Sequence, residues 1–223
     1  MKKLAIILFT AICALCASAQ QPDPLAGKKI GFIGDSYVKN HRAPVEETWH
    51  YKFAKKHGME YINYGRNGNC IAHDSRQWGT GIYHRYQTMA PDLDYVVVIA
   101  GHNDWHKLDS IGGLDQFRLR LDSLCAGLIE RYPTAKIMFF TPWSTDNFEG
   151  SPCQSVVDAI IAVCGARGIP VFDAARNSGI HVASEKFRQI YFQPSKNNKD
   201  RAHLNAAGHD RFLPIAEAFI LSH

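Results

Sequence analysis

The sequence predicts a doubly wound α/β fold built on a parallel sheet. Three observations point that way. Residues 95–100 (Tyr-Val-Val-Val-Ile-Ala) are apolar without alternation, as strands buried on both faces are, and residues 136–141 read as another buried strand. Strand-like and helix-like segments take turns along the chain. The helical segments carry apolar residues at three- and four-residue spacing, which marks one buried face.

In chain order, residues 20–26 are a short polar lead-in containing prolines, and residues 29–33 read as the first strand. Residues 45–57 read as a helix that stops at Gly58. A short strand is expected at 60–63, then a helix over 83–89 that ends before Pro91. After the 95–100 strand, Leu114, Phe117, Leu121, Leu124 and Leu128 define a helix closed by Pro133. The 136–141 strand follows. Val156, Val157, Ile160, Ile161 and Cys164 mark the next helical face, which ends at Gly168. Residues 170–172 start a short strand and 206–221 read as a final helix. Residues 173–199 are long for a loop, so they are expected to be functional or to carry small helices. There is no internal repeat, low-complexity tract or linker.

Residues 1–19 read as a cleaved signal peptide. Lys2 and Lys3 precede an apolar stretch too short to span a bilayer, and Ala17-Ser18-Ala19 supplies the small-x-small cleavage pattern. Neither Cys13 nor Cys16 follows the small residues of a lipoprotein signal. The expectation is one domain over 20–223, periplasmic or secreted, without stable membrane insertion. Loss of Lys2 and Lys3 takes the formal net charge from +4 to +2, so composition gives no argument for nucleic acid. Cys70, Cys125, Cys153 and Cys164 remain, and no C-x-x-C is among them. One or two disulfides are open in an oxidising compartment, while Cys125 and Cys164 sit in apolar helical patterns that suit buried thiols.

Four segments carry chemistry. Gly34-Asp35-Ser36 follows the first strand, Asn63 to Gly68 the second, Gly101-His102-Asn103-Asp104 the third, and Asp200-Arg201-Ala202-His203 precedes the last helix. In a doubly wound sheet, ligands bind beyond the C-terminal strand ends, where Ser36, Gly68 and Asn103 converge. Ester hydrolysis needs a nucleophile, a base and an oxyanion site. Ser36 suits the first role and His203 the second, with Asp200 orienting its imidazole. The Ser36 and Gly68 amides and the Asn103 side chain suit the third. Activity is then expected to fall on the acid side as His203 takes a proton.

Taken in order, these segments resemble the four blocks of the SGNH/GDSL hydrolase superfamily, with Gly68 rather than Gly65 in the oxyanion position. The resemblance spans nearly all of residues 20–223. It implies a three-layer α/β/α sandwich (flavodoxin-like) with a central parallel sheet, esterase or lipase activity and no cofactor. No Gly-x-Ser-x-Gly elbow is present, which disfavours the α/β-hydrolase alternative. Singly, each motif has a plainer explanation: Ser36 as a helix cap, Asn103 as a turn residue, Asp200 and His203 as a surface pair. His102, Asp104 and His106 lack a further ligand at zinc-site spacing, so no metal is expected. His209 reads as a helix-surface residue.

The expected substrate is a small acyl group, acetyl foremost, on a carbohydrate or similar polar alcohol. Trp105 and Trp143 lie just past strand ends and Trp78 follows Gly68, where aromatic faces would stack on a sugar ring. Ordinary packing is the competing account for each. Arg66, Arg176 and Arg188 are candidate contacts to a polar substrate, with solvation as the default. The alternatives are a lysophospholipase- or thioesterase-type enzyme, a catalytically silent carbohydrate-binding protein, and a metal-dependent hydrolase. Residues 144–152 and 173–199 match no motif and would set substrate choice.

Overall fold

The apolar runs pair side by side. In the computed structural model, which describes residues 23–223, one sheet contains β1 (Lys29–Gly34), β2 (Glu60–Gly65), β3 (Tyr95–Ile99), β4 (Lys136–Phe140) and β5 (Val171–Phe172). Its order is β2-β1-β3-β4-β5 and every pairing is parallel. The expected signal peptide, residues 1–19, lies outside the described residues. Among the described residues the helices are α1 (Ser36–Lys39), α2 (Trp49–Lys56), α3 (Ile82–Arg85), α4 (Leu108–Ile111), α5 (Leu114–Arg131), α6 (Pro152–Ala166), α7 (Ala174–Asn177), α8 (Glu185–Tyr191) and α9 (Ala206–Ser222).

The lack of alternation in β3 follows from its two covered faces; all five of its residues are buried. Val97 and Ile99 join Phe32 and Phe140 in one core, against Trp49 and Phe53 of α2 and Phe212 and Ala216 of α9. Val96 and Val98 join Ile33 and Phe139 in the other, against Leu121 and Leu124 of α5 and Val156 and Ile160 of α6. The result is a three-layer α/β/α sandwich. Each fully buried Leu, Ile or Phe in these layers contributes about 1.5–3 kcal/mol relative to exposure.

Local chemistry shifts some boundaries. The expected 45–57 helix is divided: a 3₁₀ turn (Val45–Glu47) precedes Thr48, whose Oγ1 accepts the Tyr51 N–H at 3.3 Å and starts α2 afresh. The 83–89 segment likewise becomes α3 followed by a 3₁₀ turn (Tyr86–Thr88). β2 runs on to Gly65, which stands in register with Gly34. The 173–199 segment carries α7, α8 and a further 3₁₀ turn (Lys196–Asn198). The four cysteines of the described residues are buried free thiols, with Cys125 Sγ 3.7 Å from Cys164 Sγ between α5 and α6.

The chain leaves β1 toward β2 on one side and leaves β3 toward β4 on the other. The crevice between the C-terminal ends of β1 and β3 is therefore the topological switch point of the sheet.

Candidate active site

Ser36 is placed by the end of β1. Gly34 must be glycine, because a Cβ there would lie 2.1 Å from the Ile99 carbonyl oxygen of β3. Asp35 then caps α1, its Oδ1 accepting the Tyr37 N–H at 2.8 Å. Ser36 is the first residue of α1 and is largely buried. The Asp35 carboxyl is completely buried, which pushes it up to about 7; the Tyr37 amide pulls the other way and the Asp104 charge adds to the rise.

His203 and Asp200 arrive from the turn before α9. His203 Nε2 lies 2.8 Å from Ser36 Oγ, and its Nδ1 lies 2.9 Å from Asp200 Oδ2. Asp200 Oδ1 also accepts the backbone N–H groups of Ala202 and His203, each at 2.9 Å, which shapes the turn and aims the imidazole. Burial pushes the Asp200 carboxyl up, but the hydrogen bond and charge of His203 and those two amides outweigh it and bring it to about 2. A carboxylate that remains ionised in this way fixes one imidazole tautomer.

The loops after β2 and β3 carry the other expected donors, Gly68 and Asn103. Gly68 has φ +69° and its would-be Cβ lies 2.4 Å from Trp78 Cδ2, so the loop after β2 tolerates only glycine there. Neither the Gly68 nor the Ser36 amide donates to another group among the described residues. Asn103 Nδ2 donates to the Asn69 carbonyl at 2.9 Å and, more distantly, to Asp35 Oδ2 at 3.4 Å. The long second bond leaves one Asn103 N–H able to turn to a ligand. Ser36, Gly68, Asn103, Asp200 and His203 thus come from four chain segments to one sheet edge.

Two supporting residues escaped the sequence reading. Arg85 is buried under the site: Nη2 donates to the Gly34 carbonyl (2.9 Å), Nη1 to the Tyr64 carbonyl (2.6 Å) and Nε to Asn69 Oδ1 (3.0 Å). One guanidinium thereby ties the ends of β1 and β2 to the Gly68 loop. Burial and the nearby Arg66 lower its pKa to about 10. Asp104, also fully buried, accepts the Ile71 and Ala72 amides at 2.8 and 2.9 Å, and burial raises its carboxyl to about 6. The Gly-His-Asn-Asp motif was the available signal for Asp104. Arg85 had none, because its partners lie 51, 21 and 16 residues away.

Several expected contacts take other places. Trp143 does not offer its face to a ligand: it is buried in the α2–α9 core, stacked 5.2 Å from the Tyr37 ring, with Nε1 donating to the Ala202 carbonyl. His209 is buried rather than on the helix surface, with Nε2 3.2 Å from Asn40 Oδ1. Arg188 is buried and donates to the Val182 carbonyl. Arg176 pairs with Asp158 and Asp173. Trp78 is partly exposed and packs over Gly68. Trp105 does border open space. With His102, His106, Asn147, Asp146 and Arg201 it lines a cleft of about 390 Å³. His102 Nδ1 lies 3.1 Å from Tyr37 Oη, which joins this cleft to the residue after Ser36. Asp104, turned to backbone amides, is not available to join His102 and His106 around a metal.

Fold and site together define a hydrolase of the SGNH type: a parallel sheet whose switch point holds a serine–histidine–aspartate chain. The chain belongs to the GDSL-like lipase/acylhydrolase family, whose model matches residues 32–211. No curated protein matches it. Among solved structures it is similar to a Lactobacillus plantarum protein (24% identity, TM-score 0.72, covering 89% of this chain and 98% of that one). It is similar also to an acetylxylan esterase from Geobacillus stearothermophilus (19% identity, TM-score 0.62, 89% and 96% covered). A member of the lipolytic G-D-S-L family from Veillonella parvula shares 17% identity with a TM-score of 0.56, covering 88% and 100%.

Proposed function

We propose that this protein is a serine ester hydrolase that removes small acyl groups, acetyl foremost, from a carbohydrate or similar polar alcohol. The observation that carries the reading is the unbroken chain Ser36 Oγ–His203 Nε2 and His203 Nδ1–Asp200, at 2.8 and 2.9 Å. In this reading Ser36 Oγ attacks the ester carbon while His203 takes its proton and passes it to the departing alkoxide. The Ser36 and Gly68 amides, with Asn103, receive the oxyanion. Water then repeats the sequence on the acyl-enzyme and frees Ser36.

A small enclosed space of about 10 Å³ is lined by Ser36, His203 and Trp143, and the cleft beside it supports a polar alcohol. The neighbouring cleft presents the Trp105 ring beside His106, Asn147 and the Asp146–Arg201 pair, a mixture of flat apolar face and polar rim that suits a sugar ring. The acetylxylan esterase among the similar structures fits this reading. The basic, apolar and Ala17-Ser18-Ala19 segments of residues 1–19 support export to the periplasm or beyond.

The test is hydrolysis of p-nitrophenyl acetate, p-nitrophenyl palmitate and an acetylated xylo-oligosaccharide, each beside Ser36→Ala. Turnover of the acetyl esters that vanishes in Ser36→Ala is expected. Preference for palmitate would replace the acetyl reading with a lipolytic one, and activity surviving Ser36→Ala would remove the serine mechanism.

A further inference from the structure

His203 is held within its own plane by two hydrogen bonds, to Asp200 and to Ser36. A third contact acts on its flat face. The His41 imidazole lies parallel to that of His203, with centroids 4.0 Å apart and planes 9° from parallel. The backbone delivers it there. Asn40 and His41 both take left-handed conformations after α1, at φ 66° and 47°, which fold the chain back over the site. The His41 N–H donates to the Ser36 carbonyl at 3.1 Å, and Asn67 Nδ2 donates to the His41 carbonyl at 3.2 Å. Buried Asn40 is fixed in turn, its Oδ1 lying 3.1 Å from Gln193 Nε2 and 3.2 Å from His209 Nε2. Two successive non-glycine residues in this region are uncommon, so the turn is over-determined by its surroundings.

We propose that His41 is a positioning residue for His203 and acts chiefly in the second half of the reaction, the hydrolysis of the acyl-enzyme; this rests on the serine-esterase reading. In acylation, the Ser36 Oγ–carbon bond forms, the Ser36 proton passes through His203 Nε2 to the alkoxide, and the alcohol leaves. The Ser36 hydroxyl, now an ester oxygen, no longer donates to Nε2, and Asp200 alone holds the ring by a hydrogen bond. In deacylation a water must give its proton to that same Nε2 as its oxygen bonds the acyl carbon. The carbon–Oγ bond then breaks and the proton returns to Ser36. The His41 face opposes tilting of the ring through the interval when the serine bond is missing. It also lies against a ring that carries positive charge in both transition states. Burial, and to a lesser extent the charges of His203 and Arg42, lower the His41 pKa from its ordinary value.

The same geometry speaks against a metal between these groups. One ligand atom each from His41, Asp200 and His203 lie within 4.8 Å of one another. Ring-nitrogen lone pairs lie in the ring plane, however, so two stacked imidazoles aim theirs side by side and not at a shared tetrahedral centre.

The test uses p-nitrophenyl acetate with wild type, Ser36→Ala, His41→Asn and His41→Phe. Asparagine is at ease at left-handed φ, so His41→Asn removes the ring and keeps the turn. The acetyl-enzyme fraction at steady state is read by intact-protein mass spectrometry after acid quench, beside kcat and kcat/KM. His41→Asn is expected to lower kcat about 5- to 30-fold, with kcat/KM changed less than about 3-fold. Acetylated Ser36 should accumulate in it above the wild-type level, and His41→Phe should recover most of the loss. If kcat and kcat/KM fall equally in His41→Asn, if neither falls, or if acetyl-enzyme does not accumulate, His41 has no such role. Activity that survives Ser36→Ala, or a wild type that turns over no ester, overturns the esterase reading and the inference with it.

Discussion

Arg85 offers the sharpest test of how this site is held together. Arg85→Met replaces the guanidinium with an apolar chain of similar length. It removes donors from the Gly34 carbonyl, the Tyr64 carbonyl and Asn69 Oδ1. Hydrogen bonds to charged groups contribute about 1.5–3 kcal/mol each, and an unsatisfied buried acceptor costs about 1–3 kcal/mol. The three losses do not simply add. The Gly34 carbonyl keeps the Arg66 N–H at 3.1 Å, and removing a buried charge recovers part of its desolvation. A net loss of about 2–4 kcal/mol is expected, read as a fall in the urea midpoint at constant slope. Activity should fall further than stability explains, because Asn69 sits beside Gly68 and its carbonyl accepts the Asn103 amide. A kcat loss of about 10-fold or more is expected under conditions where the variant is fully folded, since in the proposed mechanism misplacing one oxyanion donor approaches the effect of deleting it. Arg85→Met with stability within about 0.5 kcal/mol of wild type and unchanged kcat would refute the view that this residue braces the Gly68 loop.

Three further outcomes follow from particular contacts. Burial raises Asp104 to about 6 and Asp35 to about 7, so each holds its proton more tightly in the folded chain than in the unfolded one. Their contribution to stability is fully present below the ordinary carboxylate range and lost as pH rises through 6 and 7; urea unfolding across this window should show a shallower decline in Asp104→Asn than in wild type, and equal slopes would count against it. Gly68→Ala forces a Cβ into Trp78 at a left-handed φ, and should reduce kcat by about 10-fold or more with p-nitrophenyl acetate, through displacement of the amide that the proposed mechanism gives to the oxyanion. Trp143→Ala should lower stability by about 3–5 kcal/mol in denaturant titration, the cost of emptying a core aromatic site; a stable variant with only a raised KM would restore Trp143 as a substrate contact.

The strands were legible because burial on both faces leaves an unbroken apolar run, as in residues 95–99 and, after Lys136, in 137–140. The Gly34–Ser36, Asn63–Gly68, Gly101–Asp104 and Asp200–His203 segments were legible because each combines a strand end or helix start with residues of fixed chemistry. Helix subdivision was less so. Thr48 reads as an ordinary residue within a helical pattern until its hydroxyl is seen to cap α2.

What the sequence by itself determined was the alternation of strands and helices of a doubly wound sheet and the arrival of Ser36, Gly68 and Asn103 beyond its strand ends. Those follow from local apolar pattern and from the rule that parallel strands end together at one edge. Only the tertiary structure decided which side chains past those ends turn inward and which face the cleft. Trp105 and Trp143 occupy equivalent positions in sequence, yet one borders open space and the other fills the core between Tyr37 and Phe212. Arg85 beneath the Gly68 loop, His209 behind Asn40 and His41 on the face of His203 are likewise decided by packing between distant segments. No local periodicity encodes such contacts, because each depends on the space left once two layers have closed on the sheet.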